Sequence, residues 1–253
     1  MKFGFDEYVH LSSPLHRWDA RYKLVGLMAL IFAFAFVRDL RMLPAMLLAT
    51  AVAYSLSRLP PSFLFTRLRY PSLFVVVVVL LLPFLSGQTT LVSLGPIDVR
   101  QEGLIAAILI ATRFLCILTV GLVLFGTASF LRTVEAMHAL RVPDILTDMA
   151  LLAYRYMFEI GDYLHRMEAA MRLRGFRERL VSIDGLRTLA WLGGSILVRS
   201  YERSEWVYKA MILRGYGEGE HGRGEFQANR GDVIAFVGAL VVAGAFIAAE
   251  YLI

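Results

Sequence analysis

The sequence predicts an all-α membrane protein of about five transmembrane helices, with a cytoplasmic module of two long amphipathic helices placed ahead of the last span. Three observations predict it. Of the 253 residues, 58% are hydrophobic and only 19% are charged, against ~25% charged in soluble domains, and the mean hydropathy is +0.61. That surplus is too large for one soluble core to hide, which excludes a soluble enzyme. The apolar residues gather in five segments, and the charged ones gather in one insert between the fourth and fifth of these. Cys116 is the only cysteine, so a disulfide-stapled secreted domain is excluded as well.

The first span, Leu24 to Val37, lies uninterrupted between Lys23 and Arg38. It is short for a bilayer core of ~30 Å, so its flanking cations are expected to snorkel outward. The second runs from about Met42 to Leu56, with Pro44 in its first turn, where a missing N–H is tolerated. The third, about Pro71 to Leu85, holds five consecutive valines and Pro83. Its β-branched run is expected to be helical all the same, because backbone groups in lipid must pair within their own segment. The fourth, Gly103 to Ala128, spans with length to spare, and the last is Val233 to Ala249. The segment 87–102 reads as a short polar turn. Arg38-Asp39-Leu40-Arg41 follows the first span where a signal peptide would carry a small-residue cleavage site. That span is therefore expected to remain in the mature chain.

Basic residues set the expected orientation. With the N-terminus inside, the short inner segments hold Lys2, Arg17, Arg21, Lys23, Arg58, Arg67 and Arg69, while the outer loops hold Arg38, Arg41 and Arg100. The net charge of +5, which in a soluble protein would point to nucleic acid, is explained by this bias, and no nucleic-acid partner is expected. The domain reading is a four-span membrane unit at 1–128, a cytoplasmic module at 129–231 and a C-terminal span at 232–253. The module carries 15 basic and 13 acidic side chains in its 103 residues, a density that belongs outside hydrocarbon.

Within the module, Pro143 and Asp144 signal a helix start, with Asp144 the expected N-cap. Apolar residues then recur at Ile145, Met149, Leu152, Tyr156, Ile160, Tyr163, Met167 and Met171, steps of three and four that define one helical face. The opposite face carries Arg155, Glu159, Asp162 and Arg166 at i,i+4 pairing distance. A second helix is expected from an N-cap at Asp184 to Leu213. Gly193-Gly194 within it either bend it or admit another helix closely. Its ten-residue apolar centre, Leu189 to Val198, is too short to span and suits a helix lying against the membrane face.

Both helices close on the same words. Ala170-Met171-Arg172-Leu173-Arg174-Gly175-Phe176 returns forty residues later as Ala210-Met211-Ile212-Leu213-Arg214-Gly215-Tyr216. Helix termination explains the Gly, the neighbouring cation and the following aromatic residue. It leaves the recurring Ala, Met and Leu unexplained, and with them the choice of Arg both times. Two rigidly presented guanidiniums at matched helix ends suit docking into two equivalent sockets, paired with carboxylates or carbonyls.

At these residues the chain resembles the transmembrane T components of energy-coupling factor (ECF) transporters, whose two coupling helices end in a short Arg-Gly signature. The resemblance implies that each end inserts into a groove on one of two ABC-type ATPases, with Ala170, Arg174, Gly175, Ala210, Arg214 and Gly215 as the docking residues. It implies further that the helices act as levers on the membrane unit and on a separate membrane substrate-capture subunit. The stretch Ser13-Pro14-Leu15-His16-Arg17-Trp18-Asp19-Ala20-Arg21-Tyr22-Lys23-Leu24 is similar to the opening of the cobalt-type branch, CbiQ, and Leu140-Arg141-Val142-Pro143 to the family's turn after the fourth span. Leu173 and Leu213 stand where the family often has Ala before Arg-Gly. The implied role is a non-catalytic subunit of an ATP-driven importer, with cobalt the favoured cargo, in the plasma (inner) membrane of a bacterium or archaeon. The same role for nickel or a vitamin is an alternative. The chain itself is expected to hold no cofactor, since it lacks a GxxxxGK[ST] loop; ATP and Mg would be bound by the partner ATPases.

Arg113 lies inside the fourth span, where a lone charge costs ~2.5–3.5 kcal/mol. Two roles are open to it: an inward contact with the capture subunit or a carbonyl, or snorkelling from a tilted helix. Glu250 is expected to reach the outer interface. The histidines His10, His16, His138, His165 and His221 show no metal-ligand spacing, so no metal site is expected. Met149, Met167 and Met171 read as packing and not as a soft-metal path. Ser12, Ser13, Thr127 and Ser129 read as caps, and the glycines from Gly217 to Gly231 as a linker. From other classes, an intramembrane enzyme would need carboxylates or histidines within spans, and an ion-coupled carrier paired ionisable groups at the midplane. The spans offer neither.

Overall fold

The computed structural model describes residues 13–85, 90–94, 97–175, 183–217 and 229–252. The described residues are all-α apart from one two-stranded hairpin. It runs α1 (Pro14–Arg17), α2 (Ala20–Phe36), a 3₁₀ turn (Leu40–Met42), α3 (Leu43–Ser57), α4 (Pro61–Leu85), β1 (Thr90–Leu94), β2 (Ile97–Arg100), α5 (Gln101–Gly126), α6 (Phe130–Ala139), α7 (Asp144–Leu173), α8 (Ile183–Leu213) and α9 (Arg230–Leu252). Ser12, Phe176, His10, His221 and most of the glycine-rich linker lie outside the described residues.

Two units divide the chain: 1–140 with 225–253, and 141–224. The first therefore takes in α6, which composition groups with the charged insert. The reason is packing: α6 lies against α2 and buries Val134 and Ala136.

In the first unit, four helical stretches are long and apolar enough to cross a membrane: Leu40–Ser57, Pro61–Pro83, Gln101–Gly126 and Arg230–Leu252. They cover the second to fifth expected spans. The 17-residue α2 rises only ~25 Å at 1.5 Å per residue, yet it runs beside spanning helices throughout. Trp18 Nε1 donates to the Asp232 carbonyl (3.1 Å), Tyr22 meets Phe236 at 5.3 Å, and Phe34 meets Phe246 edge-on at 5.2 Å. The nearly constant sequence offset, 212 to 214 residues, makes α2 and α9 parallel neighbours. Lys23 reaches Thr127 and Arg113 reaches Val37, so α2 and α5 are antiparallel. The core lies among these helices: Leu27, Leu30, Ala33 and Phe34 of α2, Met46 of α3, Cys116, Val120 and Val123 of α5, and Ala243 and Phe246 of α9.

Three expectations are corrected here. Lys23 does not snorkel. It is 2% exposed, and its Nζ donates to the Leu15 carbonyl (3.2 Å), the Thr127 carbonyl (3.1 Å) and Thr127 Oγ1 (3.2 Å). The carbonyls at the end of α5 lack intrahelical donors, and an ammonium has three N–H groups to offer them. The third span begins at Pro61 and not at Pro71. Pro61 takes the first helical position, where its missing N–H costs nothing, and the helix then continues through Pro71. The expected polar turn at 87–102 is an antiparallel hairpin, with Leu94 opposite Ile97 and Val92 opposite Val99. Thr90, Val92, Ile97 and Val99 favour extended backbone there.

The caps follow the sequence more closely. Ser13 accepts from His16 N at the start of α1, and Ser129 from Arg132 N at the start of α6. Asp19 caps α2 through Arg21 N (2.9 Å) and pairs with the Arg21 guanidinium (2.9 Å).

Candidate functional site

The second unit is built on α7 and α8. α7 begins one residue ahead of its expected start, with Pro143 as N-cap: the Pro143 carbonyl accepts from Leu146 N (2.9 Å) and Thr147 N (3.4 Å). Asp144 is thus the first helical residue and not the N-cap. Its charge still complements the positive end of the helix. α8 begins at Ile183, one residue before Asp184.

The helices meet through cations of α8 and the aromatic and acidic residues of α7. The Arg199 guanidinium lies 4.2 Å from the centre of the Tyr163 ring, with Nη1 donating to Tyr163 Oη (3.1 Å). Arg203 pairs with Glu159 (3.0 Å) and lies over Tyr156 (5.9 Å). Glu159 therefore pairs across the helices and not with Arg155 on its own helix, as spacing alone suggests. A guanidinium presented by a neighbouring helix can also stack on tyrosine, which a pair along one helix does not offer. Tyr156 and Tyr163, expected as apolar-face residues, are half-buried at this seam, whereas Ile145 and Met149 are exposed. Gly193 and Gly194 admit no close neighbour: a Cβ on either would meet nothing within 4 Å.

One further contact fixes the direction of α8. Tyr216 Oη, just past its end, donates to Asp148 Oδ2 near the start of α7 (2.6 Å). That hydrogen bond, with lesser contributions from burial and from the Asp148 and Asp144 charges, raises the Tyr216 pKa above its ordinary value. With the contacts at Glu159–Arg203 and Tyr163–Arg199, the pairing runs antiparallel. The two Arg-Gly ends consequently sit at opposite ends of the pair. From the level of Asp148 to Arg174 is about 39 Å of helix at 1.5 Å per residue.

Each end is closed by the same inner hydrogen bond from its glycine. At α8, Gly215 N donates to Ile212 O (2.9 Å) and Tyr216 N to Met211 O (3.0 Å), the paired bonds of a Schellman cap. At α7, Gly175 N donates to Arg172 O (3.0 Å), the equivalent inner bond. Gly175 and Gly215 both adopt positive φ, +84° and +79°, which only glycine takes without strain. Arg174 and Arg214 are exposed, as are Ala170 and Ala210 one turn earlier on the same face. Ala170 contributes its carbonyl to Arg174 N (3.2 Å).

The leucines before the arginines are the residues that sequence reasoning passed over. Leu173 is 90% exposed and Leu213 88%. An apolar side chain held fully in water at both copies of a repeated helix end, beside an exposed guanidinium, suits insertion into a partner's apolar socket with a polar rim. Their recurrence forty residues apart was the available signal.

Arg113 belongs to the other unit. Its guanidinium donates to the Val37 carbonyl at the C-terminus of α2, the carbonyl contact that was one of its open roles. It also interacts electrostatically with Glu250. Arg113 Nε and Glu250 Oε2 are buried without a hydrogen-bond partner among the described residues. Among the described residues no group of three or more His, Cys, Asp or Glu side chains could hold a metal ion.

Comparison with known proteins follows the same line. The family described as "Cobalt transport protein", CbiQ, matches residues 11–224. The energy-coupling factor transporter transmembrane protein EcfT of Macrococcus caseolyticus is 26% identical over 243 residues, covering 89% of each chain. The EcfT protein of Listeria innocua is 26% identical over 241 residues, covering 90% of each. That of Bacillus subtilis is 25% identical over 231 residues, covering 85% of this chain and 84% of its own.

Proposed function

Because this chain belongs to the CbiQ family, the transmembrane T components of energy-coupling factor transporters, we propose that its two matched helix ends are the plugs through which partner ATPases drive the membrane unit. The protein is a multi-pass membrane transporter subunit. The observation that carries the reading is the pair of exposed Leu-Arg-Gly ends, closed by matching bonds, at opposite ends of one antiparallel helix pair.

In this reading each of two ABC-type ATPases receives one end. The leucine enters an apolar groove, and the guanidinium pairs with carboxylates or carbonyls at the rim, where its planar fork gives orientation as well as attraction. ATP and Mg belong to those partners, and this chain supplies no catalytic group. When the ATPases close on ATP, their grooves approach; Arg174 and Arg214 travel with them. The seam between α7 and α8 consists of stacked and ion-paired side chains, so the helices can change their crossing without unfolding. That motion is delivered to the membrane substrate-capture subunit. The module faces the cytoplasm of a bacterium or archaeon, as the basic inner segments favour. Cobalt is the favoured cargo, on the family description alone.

The experiment is charge reversal at both ends, Arg174→Glu with Arg214→Glu, in cells lacking the native copy. Uptake of radiolabelled cobalt is expected to fall to background while the protein stays in the membrane and loses its ATPases on purification. Wild-type uptake by the double variant would defeat the proposal.

A further inference from the structure

α3 and α9 flank α2 and leave a long open groove above it. Its floor is Leu27 and Leu30, and its walls are small: Ala45, Ala49 and Ala53 on α3, with Gly238 and Ala245 among the residues of α9. The volume is about 1030 Å³, and the lining is almost wholly apolar. Two charged residues, Arg17 and Asp232, contribute to it, together with Trp18 and close to the N-terminal ends of α2 and α9. They are not equivalent. The Asp232 carboxylate is occupied, accepting from Asp19 N (3.4 Å) and Asn229 N (2.9 Å). The Arg17 side chain is exposed, and its guanidinium makes no hydrogen bond or ion pair among the described residues.

We propose that this groove binds one anionic phospholipid, its acyl chains lying over α2 and its phosphate held by Arg17. A groove between membrane-spanning helices is filled with hydrocarbon of some kind, so the question is which. Acyl chains are slender enough to lie within it. The unpaired cation then selects the head: basic sites between membrane helices on the cytoplasmic side take anionic headgroups, and Trp18 sits at the same end, where indole rings favour the interface. The site is independent of the helix ends, so it stands or falls apart from the coupling proposal.

The test uses the full chain, purified with its partners in mild detergent and examined by native mass spectrometry after exchange into nanodiscs of phosphatidylcholine with or without phosphatidylglycerol. One retained phosphatidylglycerol is expected, preferred over phosphatidylcholine about fivefold, the factor that corresponds to ~1 kcal/mol for one cation near an anionic surface. Arg17→Gln should abolish the preference and keep the fold, because the exposed Arg17 side chain has no partner to lose among the described residues. Ala49→Phe should lower retention of either lipid. Equal retention of both lipids by the wild type, an unchanged preference in Arg17→Gln, or cross-links placing a second copy or a partner's helix between α3 and α9 would each overturn the proposal.

Discussion

Lys23 on α2 and Arg113 on α5 cap each other's helices. Lys23 donates to the Thr127 carbonyl just past the end of α5, and Arg113 donates to the Val37 carbonyl just past the end of α2. The two contacts are reciprocal because the helices are antiparallel, and they lie ~21 Å apart along α5 at 1.5 Å per residue. Each meets the same need: the last carbonyls of a helix have no partner within it, and water is scarce where these end. Lys23 and Arg113 thus each satisfy a helix end inside the membrane unit, whereas Arg174 and Arg214 are exposed.

The first prediction is that Lys23→Met destabilises the membrane unit by about 1–3 kcal/mol, the usual penalty for leaving buried acceptors unpaired. Thermal unfolding in detergent measures it. Thr127→Val removes one acceptor, so the two substitutions should be less than additive. A Lys23→Met protein that melts with the wild type would show that the ammonium contributes nothing there.

Gly26 sets how closely α2 and α9 approach. A Cβ on it would lie 3.3 Å from Ala239 Cβ and 3.5 Å from both Phe236 and Trp18. Gly26→Leu must push the helices apart and is expected to cost about 1–3 kcal/mol by overpacking, while Gly26→Ala is met by a shift of a few tenths of an ångström. A cysteine pair across α2 and α9 reports the separation. Equal cross-linking in Gly26→Leu and wild type would contradict this packing.

What the sequence makes legible here is what local rules decide. The helix ends at Gly175 and Gly215 follow from glycine after a cation, and the long spans follow from apolar length. The sequence does not distinguish the two orientations of Lys23, because a cation at the edge of a span looks the same whether it turns outward or inward. Only the end of α5, a hundred residues away, decides it. Glu159 was given its helical neighbour because sequence shows Arg155 four residues before it and cannot show Arg203 opposite. Leu173 and Leu213 were treated as departures from a pattern, when their meaning lies in exposure, which a sequence does not display.

Those leucines carry the next prediction. Leu173→Gln with Leu213→Gln keeps helix propensity, both arginines and both glycine caps, and removes only exposed apolar surface. The unfolding temperature is expected to stay with the wild type, while ATPase copurification and cobalt uptake fall severalfold. Undiminished ATPase retention would leave the arginines as the sole anchors.

Gly175 and Gly215 separate the presentation of the arginines from their charge. Alanine at either position is forced to φ near +80°, at roughly 1–2 kcal/mol, so the last turn should unwind in preference to holding that conformation. Gly215→Ala is expected to reduce uptake with Arg214 intact, and Gly215→Asn to restore part of it, since Asn tolerates the left-handed region. Uptake equal to wild type in Gly215→Ala would mean that the cap does not position the arginine.

Tyr216 makes the two ends mechanically unequal. At the first copy the corresponding residue is Phe176, which has no hydroxyl, whereas Tyr216 ties the end of α8 to Asp148 of α7 at 2.6 Å. A plug tied to the neighbouring helix passes displacement to that helix directly; an untied plug first bends its own. Tyr216→Phe keeps the ring and the Schellman cap and removes this tie, a loss of about 0.5–1.5 kcal/mol, or more if the Asp148 charge strengthens it. The complex should still assemble with both ATPases and hydrolyse ATP, but move less cobalt per ATP. Asp148→Asn, which retains an acceptor oxygen, should fall between Tyr216→Phe and the wild type. An unchanged ratio of transport to hydrolysis in Tyr216→Phe would show that the tie serves folding and takes no part in transmission.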